Sequence, residues 1–182
     1  MKLTTRMKWA STALLAAGFF ALLAIGSADA ASKAAEAKKA IADLAAAKDS
    51  RAKAEALTEI GKLAQVQKTL AEPAMADIKK CLSDSSALVR KAAATAYGRC
   101  DPDPKEAVPI FVKMLNSEKD DEVRVGIAHG LAAMGPSAKE ALPTLRDAMK
   151  EEKAKAKDGK QTKLQRELGD AARAISEMKK KN

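Results

Sequence analysis

Val89-Arg90-Lys91-Ala92-Ala93-Ala94-Thr95-Ala96-Tyr97-Gly98-Arg99-Cys100 returns 34 residues later as Val123-Arg124-Val125-Gly126-Ile127-Ala128-His129-Gly130-Leu131-Ala132-Ala133-Met134. Val89, Ala92, Ala93, Ala96, Tyr97 and Cys100 fall on one stripe of a 3.6-residue helix. Val123, Gly126, Ile127, Gly130, Leu131 and Met134 keep the same spacing. A second, shorter helix follows each time, with stripe Val108, Phe111, Val112, Leu115 in one copy and Leu142, Leu145, Met149 in the other. Asp101-Pro102-Asp103-Pro104 and Gly135-Pro136-Ser137 separate the two helices as breakers. The unit is a helical hairpin, and a fixed period of this size means copies stacked on one another.

Weaker copies flank the central pair. Ile60-Gly61-Lys62-Leu63 matches Tyr97-Gly98-Arg99-Cys100, with a helix from Pro73 to Leu82 after it. Ala171, Ala174, Ile175 and Met178 match Ile127, Gly130, Leu131 and Met134. Glu151 to Lys160, rich in lysine, reads as an inserted solvated loop or a helix extension. The expected organisation is a capping helix in 31–48, a divergent repeat in 49–83, repeats in 84–117 and 118–150, and a basic insertion with a capping helix in 151–182. Ala, Leu, Lys and Glu dominate and no stretch alternates apolar with polar, so strands are not expected. The predicted fold is all-α, an α-solenoid of about three and a half stacked hairpins.

The run from Leu82-Ser83-Asp84 through Val89-Arg90-Lys91-Ala92-Ala93 to Tyr97-Gly98 resembles the HEAT repeat. It is closest to the short HEAT-like variety first described in phycobilisome lyases. The family's Asp-to-Arg pattern is present as Asp84 with Arg90 and as Glu118 with Arg124, where glutamate departs from the family's aspartate. The resemblance implies a solenoid whose second helices line a concave face used to hold other macromolecules. It also assigns Asp84, Arg90, Glu118 and Arg124 to stacking between repeats. An acidic side chain at a helix start accepts from free backbone N–H groups, and it suits the planar fork of an arginine from the neighbouring unit.

Gly126 and Gly130, four apart inside a predicted helix, each cost roughly 1 kcal/mol against alanine. Close approach of a neighbouring helix or a local bend would account for them.

The start reads as a targeting segment. Lys2, Arg6 and Lys8 precede an apolar run from Trp9 to Ile25, and Ala28-Asp29-Ala30 supplies small residues for cleavage after Ala30. Residues 1–30 are therefore expected to be a signal peptide, or an N-terminal anchor if uncleaved. The remainder would be periplasmic or extracellular either way.

Chemistry is sparse. His129 is the single histidine, and with Cys81 and Cys100 distant it makes no zinc pattern. In the repeat, Cys81 and Cys100 sit at opposite ends of one helix, roughly 20 Å apart. That is too far for a bridge, which needs Cα atoms within about 7 Å. Two buried free thiols are expected. No catalytic residue, cofactor or metal ligand is predicted.

Net charge is +9, and much of the excess lies after Ala148, ending in Lys179-Lys180-Lys181. The leading expectation is an exported, non-catalytic scaffold that docks a protein partner on the second-helix face, at Lys79, Ile110, Lys113, Thr144 and Asp147. The alternative is electrostatic attachment of the basic C-terminal region to an anionic lipid surface or envelope polymer. Nucleic acid fits the charge but not the export signal or the lack of rings for stacking. An enzyme or an enzyme's regulatory subunit ranks third.

Overall fold

The structure, a computed structural model, describes residues 29–155 and 160–177. All of the signal segment but Asp29 and Ala30, residues 156–159 of the insertion, and the Lys179-Lys180-Lys181 tail lie outside the described residues. The chain divides into two units, Met1–Glu36 and Ala37–Asn182. In the first, residues 29–36 are helical, with Lys33 donating to Asp29 at 2.6 Å.

The second unit is an all-α solenoid. Helical residues 37–46 (α1) bury Ala37, Ala40 and Leu44. There follow α2 (Ser50–Val66), α3 (Met75–Cys81), α4 (Ala87–Arg99), α5 (Pro104–Ser117), α6 (Asp121–Met134), α7 (Leu142–Lys155) and α8 (Lys163–Glu177). Short 3-10 turns at Lys68–Leu70, Glu72–Ala74 and Gly135–Ala141 replace the first turns of second helices. Each hairpin closes on its own apolar stripe. Tyr97 and Phe111, both fully buried, meet edge to face with centroids 5.8 Å apart and join α4 to α5. In α8, Leu164, Leu168, Ala171 and Ile175 are buried against α6 and α7, while Ala174 is half-buried.

Several expectations need correction. The second helix is not the shorter one: α5 has 14 residues against 13 in α4. The insertion is not a separate loop at its start, since residues 151–155 continue α7. Cys100 is buried but Cys81 is only half-buried; both are free. Burial pushes the Cys100 thiol up to about 11, so it stays a neutral, inert side chain.

The breakers share a positive φ that their letters hide. Asp101 and Gly135, one period apart, have φ of 57° and 56°. Both occupy the left-handed region, where glycine is free and aspartate is among the tolerated residues.

The first helices set the spacing of the stack. A methyl group on Gly98 would lie 2.1 Å from the Gly130 carbonyl oxygen, and one on Gly130 would lie 2.5 Å from the Ala94 carbonyl oxygen. At Gly126 it would meet the Lys91 carbonyl oxygen at 2.6 Å. These obstacles are backbone and have no rotamer to change. Close approach of α4 and α6, not a bend, is therefore what these glycines serve. Near-contact of backbones offsets the helical cost of glycine through dispersion contacts that larger side chains would prevent.

Gly98→Ala and Gly130→Ala should each destabilise the protein by about 1–3 kcal/mol in urea melts, because overpacking outweighs the gain in helix propensity. Gly169→Ala in α8 should do the opposite. Its methyl would meet only the flexible Met149 Cε at 3.4 Å, so a gain of up to about 1 kcal/mol is expected.

Candidate functional site

Two features can do something beyond filling space: a column of ion pairs down one side of the stack, and a groove across the first helices.

The column begins at Asp84. Its carboxylate accepts from the Ser86 backbone N–H at 2.9 Å and from Lys53 Nζ at 3.1 Å. Arg90 does not bond that carboxylate. Its Nη1 donates instead to the Asp84 and Ser85 carbonyl oxygens, and its Nε and Nη2 grip Glu118 of the next hairpin at 2.8 and 3.1 Å. Glutamate at 118 is long enough to take both arginine donors and also accepts from the Lys119 and Asp120 backbone N–H groups. The helix caps proper are the residues just after these acids, Ser86 for α4 and Asp120 for α6, and Asp120 accepts from Val123 N–H at 3.0 Å.

One period further on, Arg124 Nη1 donates to Glu152 at 2.9 Å. Glu152 is 3% exposed and Arg124 is 5% exposed. Lys155 also reaches Glu152, at 2.7 Å. Glu152 was hidden in what the sequence presents as a solvated, lysine-rich insertion. It follows Glu118 by one period, as Glu118 follows Asp84, and that offset was the signal that pointed to it. The two arginines differ in grip. Arg90 engages its carboxylate through two donors, whereas Arg124 leaves a buried Nε with no partner among the described residues. Outside the column, Glu122 on α6 takes Lys91 from α4 and Lys163 from α8 at 2.5 and 2.6 Å. Lys163, then Lys91, holds the Glu122 carboxyl down at about 2.

Of the residues expected to form a partner surface, three are exposed and two are half-buried. Lys79 is exposed and pairs with Glu106 on α5, and Asp147 is exposed and meets Lys150 at 3.4 Å. Lys113 is exposed on α5. Ile110 and Thr144, expected to be exposed, are half-buried, and Ile110 packs against the core because α5 turns it inward. His129 is half-exposed, with Nε2 2.9 Å from Glu167 on α8. Among the described residues no group of His, Cys, Asp and Glu gathers with metal-binding geometry.

A concavity lies on the first-helix side. A groove of about 820 Å³ runs between α2 and α4 and reaches His129 on α6. Arg51, Glu55, Thr58 and Lys62 line it from α2, and Leu88, Ala92, Thr95 and Arg99 line it from α4. Both sets step by four, three and four residues, which is one helix face repeated on neighbouring helices. Ala54, Gly61 and Ala96 form the floor. Leu88 is 51% exposed, one of two large apolar side chains so placed among the described residues. This depression lies on the first helices, apart from the second-helix residues singled out in the sequence. The first helices pack side by side along their lengths, whereas α5 meets α7 only sparsely. Small residues on the first helices leave the depression.

The column predicts acid sensitivity. The Ser86 N–H holds Asp84 below its usual value, and the Arg90 guanidinium does the same for Glu118. Burial pushes Glu152 up, but Lys155 and Arg124 together bring it below the ordinary range. Carboxyls lowered on folding contribute stability that is present above their unfolded values, 3.8 for Asp and 4.5 for Glu, and lost as pH falls through the folded ones. Melting temperature should hold between about pH 7 and 5 and drop below about 4.5, and Glu118→Gln should flatten that slope in thermal melts. Glu152→Gln, which strands a buried arginine, should cost about 3–5 kcal/mol; Arg124→Met with Glu152→Leu should recover most of it.

Comparison with known proteins agrees with this architecture. A family model described as HEAT repeats matches residues 75–157. No curated protein and no solved structure matches the chain. The match supports the HEAT repeat family, whose members are generally non-catalytic scaffolds for protein interaction.

Proposed function

We propose that this protein is an exported, non-catalytic scaffold of the short HEAT-like type found in phycobilisome lyases. It docks a segment of a protein partner in the groove between α2 and α4. The groove itself carries the reading. It is an apolar-floored depression of about 820 Å³ with a charged rim, within the size range of pre-formed binding sites. It lies on the most closely packed layer of the stack, so docking there requires little reorganisation of the backbone. The basic n-region, the apolar run and Ala28-Asp29-Ala30 support export to the periplasm or the cell exterior.

A photo-crosslinking side chain placed at Thr58 or Ala92, inside the groove, should capture one partner in the cell envelope. The same group at Lys113 or Asp147, on second helices, should not. Equal labelling from both sides would overturn the assignment of the face. Attachment through the basic end would instead survive groove substitutions and disappear on removal of Lys179 to Lys181. The mature protein recovered from the envelope should begin at Ala31 by mass.

A further inference from the structure

Ionic side chains in the groove do not balance. Arg51, Lys62, Lys91 and Arg99 line it against two carboxylates, Glu55 and Glu59. Arg51 is taken by Glu55 and Lys62 by Glu59, each at 3.0 Å, while Lys91 reaches out to Glu122. Arg99 has neither an ion pair nor a side-chain hydrogen bond among the described residues. Its half-buried stem lies over α2, with Cδ 3.6 Å from where a Gly61 methyl would be. A cation in the last turn suits the helix dipole. The Ala96 and Tyr97 carbonyls, however, already accept from the Cys100 N–H. The guanidinium is left as a planar set of donors over a small-residue floor, the geometry that suits a carboxylate.

Arg99 and the exposed Leu88 stand on the same face of α4, eleven residues and so about 16 Å apart. Ala92 and Thr95 lie between them. An occupant that satisfies both ends has an apolar side chain at one end and an acid at the other, about three helical turns apart.

We propose that the groove selects an acidic amphipathic helix of a partner protein, with a carboxylate on Arg99 and an apolar anchor packed beside Leu88 and Ala92. The proposal rests on the docking function above and names the chemistry of its occupant.

The probe is a set of labelled synthetic helical peptides with one leucine stripe, identical except for Glu, Gln or Lys three turns from the anchor leucine. Binding to the full chain is followed by fluorescence anisotropy. The Glu peptide should bind about tenfold more tightly than the Gln peptide, which is about 1.4 kcal/mol, because its carboxylate makes a charge-assisted hydrogen bond to the guanidinium, and the Lys peptide should bind least. Arg99→Gln should abolish the preference with an unchanged melting curve, whereas Arg166→Gln, exposed on α8, should leave it intact. Equal binding of the Glu and Gln peptides, a preference that survives Arg99→Gln, or no binding of any peptide would overturn the proposal. So would acidic lipid vesicles displacing the Glu peptide in an Arg99-dependent way. The groove-specific crosslink at Thr58 and Ala92 judges the docking function separately: a crosslinked partner without acid selectivity would sink this inference alone.

Discussion

Backbone meets backbone where α4 crosses α6, and the rest of the stack follows from that contact. Gly98 and Gly130 remove the side chains that would otherwise hold two helices at ordinary spacing. Once the first helices are drawn together, each second helix is placed behind its own hairpin by Tyr97, Phe111 and their counterparts. Apolar burial supplies most of the driving force, but it is indifferent to register. A glycine facing a particular carbonyl is not, and it ties one hairpin to one height on the next.

Charges add a second, directional constraint. Lys53 to Asp84 and Arg90 to Glu118 each reach the start of the following hairpin, and Arg124 to Glu152 ties α6 to the end of α7. Their burial increases along the chain, from the partly exposed lysine pair to the sealed Arg124–Glu152 pair. Exposed pairs contribute little and sealed ones are costly to break. The column therefore acts less as glue than as a penalty on misplaced neighbours, most severe between α6 and α7.

The hairpin architecture was readable because it is periodic. A 3.6-residue stripe written twice at one offset leaves few alternatives, and glycines four apart inside it pointed to helix contact. What was misread depended on three-dimensional context that letters carry weakly. Glu152 stands among lysines and looks solvated, yet α7 continues through it and turns it onto Arg124. Ile110 looks like an outward residue on an amphipathic helix but packs inward. The depression lies on the first helices because alanine and glycine there are too small to fill it. Arg99 gave no sign in sequence, since an unpaired cation is recognised only when its neighbours' partners are known.

Gly61 and Ala96 serve two masters. They floor the groove, and they are also a helix–helix contact, with the Ala96 Cα only 3.1 Å from where a Gly61 methyl would sit. Recontouring the cleft from below would thus pry apart the stack that creates it. A substitution that reshapes the cleft without disturbing the stack falls on its walls, at Leu88 and Arg99, where a new side chain meets solvent rather than a neighbouring backbone. The outward stripe of one helix is thus open to change while the interior stays unaltered.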